Sequence, residues 1–188
     1  MLKKVITLLL AATVFFSCEN MNPIKRTSND GLMFAMIYDF DNTPVNTVAV
    51  YIDGNLVVES DIQGRFILEN IRRGEYTIKL TKSGYETIEE AFYYDQLNVL
   101  YFKMINSSQL MALAETALDN REYNNAEQYI NRALVLEPHR PDILFLKSIV
   151  YYFQGKNREA IIILQNLIRN GNNERGIVQL LEILMKDE

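Results

Sequence analysis

The sequence predicts a multidomain chain, all-β and then all-α: a seven-stranded β-sandwich followed by α-hairpins with a capping helix. Three observations carry this. Between residues 32 and 102, short runs of β-branched and aromatic residues recur between turn signals. After Met104 the apolar spacing changes from the strand period to the helical one. Within that second stretch the chain repeats itself at an offset of 34 residues.

The first element is a leader. Met1-Leu2-Lys3-Lys4 is basic, and residues 5–16 are apolar apart from Thr7 and Thr13. A helix of that length rises about 18 Å, short of the roughly 30 Å of hydrocarbon that a spanning helix must cross. A short apolar run behind a positive start is the pattern of a secretory signal. Ser17 follows, and then Cys18, the only cysteine of the chain. Phe15-Phe16-Ser17-Cys18 resembles the lipobox of bacterial lipoproteins, in the relaxed form of spirochaete-like lipoproteins. The resemblance implies removal of residues 1–17, acylation of the Cys18 thiol, and a membrane partner held through that lipid. A plain signal peptide, or an uncleaved anchor with an incidental cysteine, is the other reading. Residues 18–30 are polar, contain Pro23, and read as a tether.

Strands are expected at 32–39, 47–52, 56–60, 65–69, 76–81, 86–93 and 99–102, within a β unit spanning 31–104. Asp53-Gly54 is a hairpin signal, because both turn positions tolerate positive φ. Gln63-Gly64, Arg73-Gly74 and Ser83-Gly84 punctuate the later runs. Tyr76, Ile78 and Leu80 alternate with Thr77, Lys79 and Thr81, which puts one face inward and one in solvent. Several short strands at regular spacing suggest a sandwich. Thr43-Pro44-Val45 leading to Ile52-Asp53-Gly54, then Asp61-Ile62-Gln63-Gly64-Arg65-Phe66, Ile71-Arg72-Arg73-Gly74-Glu75-Tyr76 and Lys82-Ser83-Gly84-Tyr85 stand in that order. Together they resemble the carboxypeptidase regulatory-like domain and the related PEGA modules. That resemblance implies a transthyretin-like sandwich without peptidase chemistry, serving as spacer or accessory binding module. Asp39, Asp41, Asp53 and Asp61 read either as calcium ligands or as turn residues capping local N–H groups.

In the second half, residues 106–188, the repeat aligns Leu110 with Leu144, Ala114 with Ser148, Ala126 with Ala160, and Ile130 with Leu164. The small residues let helices approach closely and the larger ones fill the space between. These positions resemble the tetratricopeptide repeat (TPR), with units at 107–140 and 141–174 and a capping helix at 174–186. The resemblance implies a concave face bearing Met111, Glu115, Phe145, Ile149, Tyr152 and Phe153. That face reads either as a groove for a partner helix or extended peptide, or as core and packing against the β unit.

Composition narrows the function. The net charge of −5 becomes −7 if Lys3 and Lys4 leave with the signal, and no Lys/Arg cluster offers a nucleic-acid footprint. One cysteine and one histidine, His139, exclude a Cys/His zinc site within one chain. No Ser-His-Asp set, metal cluster or phosphate-cradling glycine loop appears, so neither an enzyme nor a cofactor is expected. The expectation is a non-enzymatic protein of the bacterial cell envelope, anchored by lipid on Cys18. Its helices would engage another envelope protein or peptide. An envelope assembly factor, or a surface glycan or peptide binder, is the alternative.

Overall fold

A computed structural model describes residues 31–96 and 99–186. The leader, the tether and Cys18 lie outside the described residues. Seven strands come first: β1 (Gly31–Asp39), β2 (Ala49–Ile52), β3 (Asn55–Glu59), β4 (Arg65–Ile71), β5 (Gly74–Thr81), β6 (Ile88–Tyr94) and β7 (Leu100–Met104). Five helices follow: α1 (Ser107–Asp119), α2 (Tyr123–Leu136), α3 (Pro141–Phe153), α4 (Asn157–Arg169) and α5 (Arg175–Lys186).

The strands form two sheets, ordered β4-β1-β7 and β3-β2-β5-β6. Alternation sends Met33, Ala35 and Ile37 of β1 into a shared core with Val50, Ile78 and Leu80 of the second sheet. The Phe66 and Phe102 rings stack in that core with centroids 6.4 Å apart. Gly64 makes the β3–β4 corner at φ +71°, and its carbonyl accepts the Ile37 N–H at 2.8 Å. A Cβ there would sit 2.4 Å from the Ile37 carbonyl oxygen, so close approach and backbone sign both demand glycine.

One pairing departs from a chain of hairpins. β1 runs antiparallel to β4 but parallel to β7, with Ala35 beside Leu100 and Asp39 beside Met104. A parallel neighbour needs a long crossover, and here the whole second sheet supplies it.

The helices pack through small residues. Ala114, Ala126 and Ala133 are fully buried around Leu110, Ile130 and Ile143, and Ala160 and Leu164 centre a second cluster under α5. Asn106 caps α1, its side chain accepting the Gln109 N–H at 2.9 Å while the Gln109 side chain accepts the Asn106 N–H. Pro141 opens α3, where its missing N–H costs nothing.

The predicted multidomain layout, an all-β sandwich plus a separate all-α tetratricopeptide array, is corrected here. Two sheets and five helices make one small domain of mixed α/β layout. β7 ends at Met104 and α1 begins at Ser107, which leaves no linker. Ile105, between them, is buried in the helical core. Asn106 caps α1 while forming an antiparallel bridge with Tyr85. Gln109 donates to Asp41 at 2.5 Å, and Arg132 of α2 makes two hydrogen bonds to Glu86 at 2.8 and 2.7 Å. Domain boundaries fall in exposed linkers that few interactions cross, and this junction is the reverse. The change of period after Met104 marked a change of secondary structure and nothing more.

Candidate interaction surfaces

Among the described residues no group of three or more His, Cys, Asp or Glu side chains is placed to hold a metal ion. The four aspartates weighed as calcium ligands have other work. Asp39 accepts the N–H groups of Asp41 and Thr43, both at 2.9 Å. Asp61 accepts those of Gln63 and Arg65 and pairs with the Arg65 guanidinium at 2.9 Å. The Arg65 N–H is the main influence holding the Asp61 carboxyl below its ordinary range. Asp53 accepts the Thr77 N–H at 2.9 Å, and Asp41 receives Gln109. The contacts of Asp39 and Asp61 are turn caps, that of Asp53 ties the β2–β3 turn to β5, and that of Asp41 is a junction contact. His139 is exposed in the α2–α3 loop.

The six residues expected on the helical face do not share one environment. Met111 is half-buried against the core of α1, α2 and α3, and Glu115, one turn on, is exposed. Phe145 is half-buried under α5, where a Cβ on Gly176 would come within 3.3 Å of its ring. Ile149 is half-buried on α3. Tyr152 and Phe153 are brought together at the end of α3, their ring centroids 5.4 Å apart. Phe153 is 51% exposed and lies flat on Tyr123, at 5.7 Å and an interplanar angle of 6°. Three aromatic rings therefore make a step at the α1–α2 and α3–α4 turns.

Beside that step is an ordered polar cluster. Glu127 accepts hydrogen bonds from Gln154 at 2.9 Å and Lys156 at 3.0 Å. Burial works to raise the Glu127 carboxyl, but those two donors outweigh it and hold the carboxyl below its ordinary range. The Lys156 ammonium also sits 4.9 Å from the centre of the Tyr151 ring. An open depression of about 550 Å³ lies here, lined by Arg121, Tyr123, Asn124, Gln154 and Lys156 among others. Sequence reasoning missed Tyr123, because residues 30 apart meet only once the hairpins stack.

A second surface lies on the outer side of the β4-β1-β7 sheet, where Leu32, Phe34, Ile67, Val99 and Tyr101 are exposed. Sequence reasoning missed this one too, although a signal was there. Leu32-Met33-Phe34-Ala35-Met36-Ile37-Tyr38 is apolar at both parities, and a strand with one wet face alternates instead.

No protein-family model and no curated protein matches the chain. Among solved structures it is similar to the crystal structure of BcpA, the major pilin subunit of Bacillus cereus. That match has a TM-score of 0.33 at 16% identity and covers 40% of this chain and 28% of that one. A variant of the same pilin subunit matches at a TM-score of 0.32 and 16% identity over the same shares. The chain thus spans under a third of the pilin's length, and a likeness of that extent assigns neither fold nor function.

Proposed function

We propose that this is a non-enzymatic protein of the bacterial envelope, held at a membrane by lipid on Cys18, whose helices engage another envelope protein or peptide. The observation that carries the reading is the parallel register of β1 and β7. The tether joins at Gly31, the first residue of β1, whereas the helices follow Met104, which pairs with Asp39 at the other end of that strand. Eight steps of strand separate the two ends by about 26 Å. An anchored chain built this way holds its helices a strand length from the point of attachment, with the β sheets as spacer. The aromatic step supplies the contact. An exposed ring stacked on a second ring offers a large rigid area at small entropic cost, as binding surfaces do.

Two experiments separate the parts. Labelling cells with an acyl-chain probe should mark the wild-type protein and leave Cys18→Ser unmarked; label on the variant rules out the anchor. A photoreactive residue at position 153 should cross-link to an envelope protein, and Tyr123→Ala should reduce that yield several-fold. A cross-linking pattern identical to that from position 135, an exposed site on α2, removes the step from the reading.

A further inference from the structure

On β1 and β7 the outer face of the β4-β1-β7 sheet has a polarity gradient along the strands. On β1 the outward residues are Leu32, Phe34, Met36 and Tyr38. Phe34 lies opposite Ile67 of β4 and Met36 beside Tyr101 of β7, so the apolar side chains form one strip rather than scattered points. Phe34 is 46% exposed, Ile67 49% and Tyr101 67%. They border an open depression of about 620 Å³. Toward the other end of β1 the neighbours turn basic: Arg65 lies opposite Met36, and Lys103 beside Tyr38. Neither β1 nor β7 puts a carboxylate on this face; on β4, Glu69 follows Ile67 toward the tether end, and Glu59 and Asp61 line the depression, Asp61 paired with Arg65 at 2.9 Å. A monomer seldom leaves such a strip uncovered without a partner surface for it.

The apolar end of the gradient is the end where the tether joins. Residues 19–30 are all that separates Cys18 from Gly31. Whatever its conformation, a run of that length cannot exceed about 45 Å. If Cys18 is lipidated, as the preceding reading holds, this strip is confined to the first few nanometres above the bilayer. The effective concentration of membrane at the strip is then in the millimolar range or above, so a weak surface affinity is enough. The order along the strands also matches the order of layers in a membrane interface. On β1 and β7 the apolar side chains come first, an amphipathic tyrosine next, and then Lys103, a cation on a long stem that reaches phosphate oxygens, while Arg65 stays paired with Asp61.

We propose that this sheet face docks on the lipid bilayer that anchors the chain. Leu32, Phe34 and Ile67 enter the boundary of the acyl region, with Tyr101 and Lys103 at the headgroups. The anchor and the face then act as two signals, fixing the orientation of the domain as well as its location.

The sequence contains no tryptophan and a single thiol, which makes the test direct. The chain from Cys18 onward retains every described residue. It is coupled through Cys18 to a maleimide phospholipid in phosphatidylcholine vesicles with brominated acyl chains. The coupling is chemical, so the result reads the face alone; acyl labelling in cells reads the anchor separately. A Tyr101→Trp reporter should shift to the blue and be quenched several-fold by the bromolipid, whereas a Val135→Trp reporter on α2 should not. Phe34→Glu in the Tyr101→Trp background, with an unchanged circular dichroism spectrum, should abolish both effects. Equal and negligible quenching at positions 101 and 135 overturns the proposal. So does a blue shift without vesicles that grows with protein concentration, which would assign the face to a second copy of the chain.

Discussion

At the scale of single residues, two positions tie sequence to stability. Gly64 and Gly54 both have positive φ, but only Gly64 faces backbone: a Cβ there meets the Ile37 carbonyl, whereas one on Gly54 meets nothing within 4 Å. Gly64→Ala should therefore cost roughly 3 kcal/mol and Gly54→Ala about 1 kcal/mol in urea denaturation. Equal costs would mean that the close approach contributes nothing. Glu127 is one of the carboxylates that tie stability to acid, with Asp61 and Glu137. Its carboxyl is held below the ordinary value of 4.5 in the folded protein, so its contribution is full above pH 4.5 and is lost as pH falls through the lowered value. Glu127→Gln should flatten that part of the stability profile, read as urea midpoints above and well below pH 4.5. Both Gly64 and its turn were legible from Asp61-Ile62-Gln63-Gly64-Arg65-Phe66. What the glycine must avoid was not, because Ile37 lies on another strand. Cys18 could be read only from its neighbours in sequence.

At the scale of elements, each expected strand lies within two residues of its observed bounds. Turn glycines and β-branched runs are local signals, and strand ends follow them. Pairing is not local. Nothing between residues 31 and 104 announces that β1 and β7 lie side by side and parallel, because that contact depends on how the second sheet folds over. The same holds for the junction of strands and helices. Glu86 and Arg132 meet across it with side chains about a third to a half exposed, so solvent weakens their attraction. A double-mutant cycle with Glu86→Ala and Arg132→Ala should give a coupling of about 0.5 kcal/mol that shrinks in high salt. A coupling of zero at low salt would show that this pair does not help hold helix to strand.

At the scale of the molecule, the shared junction predicts cooperative behaviour. Ile78 is fully buried between the sheets and Leu110 is fully buried among the helices. Each residue's replacement by Ala should lower stability by about 3 kcal/mol. In each variant, the tyrosine fluorescence and the helical circular dichroism should still report a single coincident transition. Separate midpoints for the two probes would restore the two-domain layout that the structure corrects. The proposed function makes its own demand at this scale: one end of the β1–β7 pair must lie near the membrane and the other must carry the helices away from it.

The sequence by itself determined where strands and helices lie, which residues are small enough for helices to meet, and that Cys18 is the one thiol available for lipid. Each of these follows from neighbours within about a turn or a hairpin. Only the tertiary structure decided that strands and helices form one domain, that Phe153 rests on Tyr123 while Phe145 is covered by α5, and that an apolar strip stays open on the first sheet. Those outcomes depend on which buried surfaces find one another, and residues far apart in the chain meet only when the whole core closes.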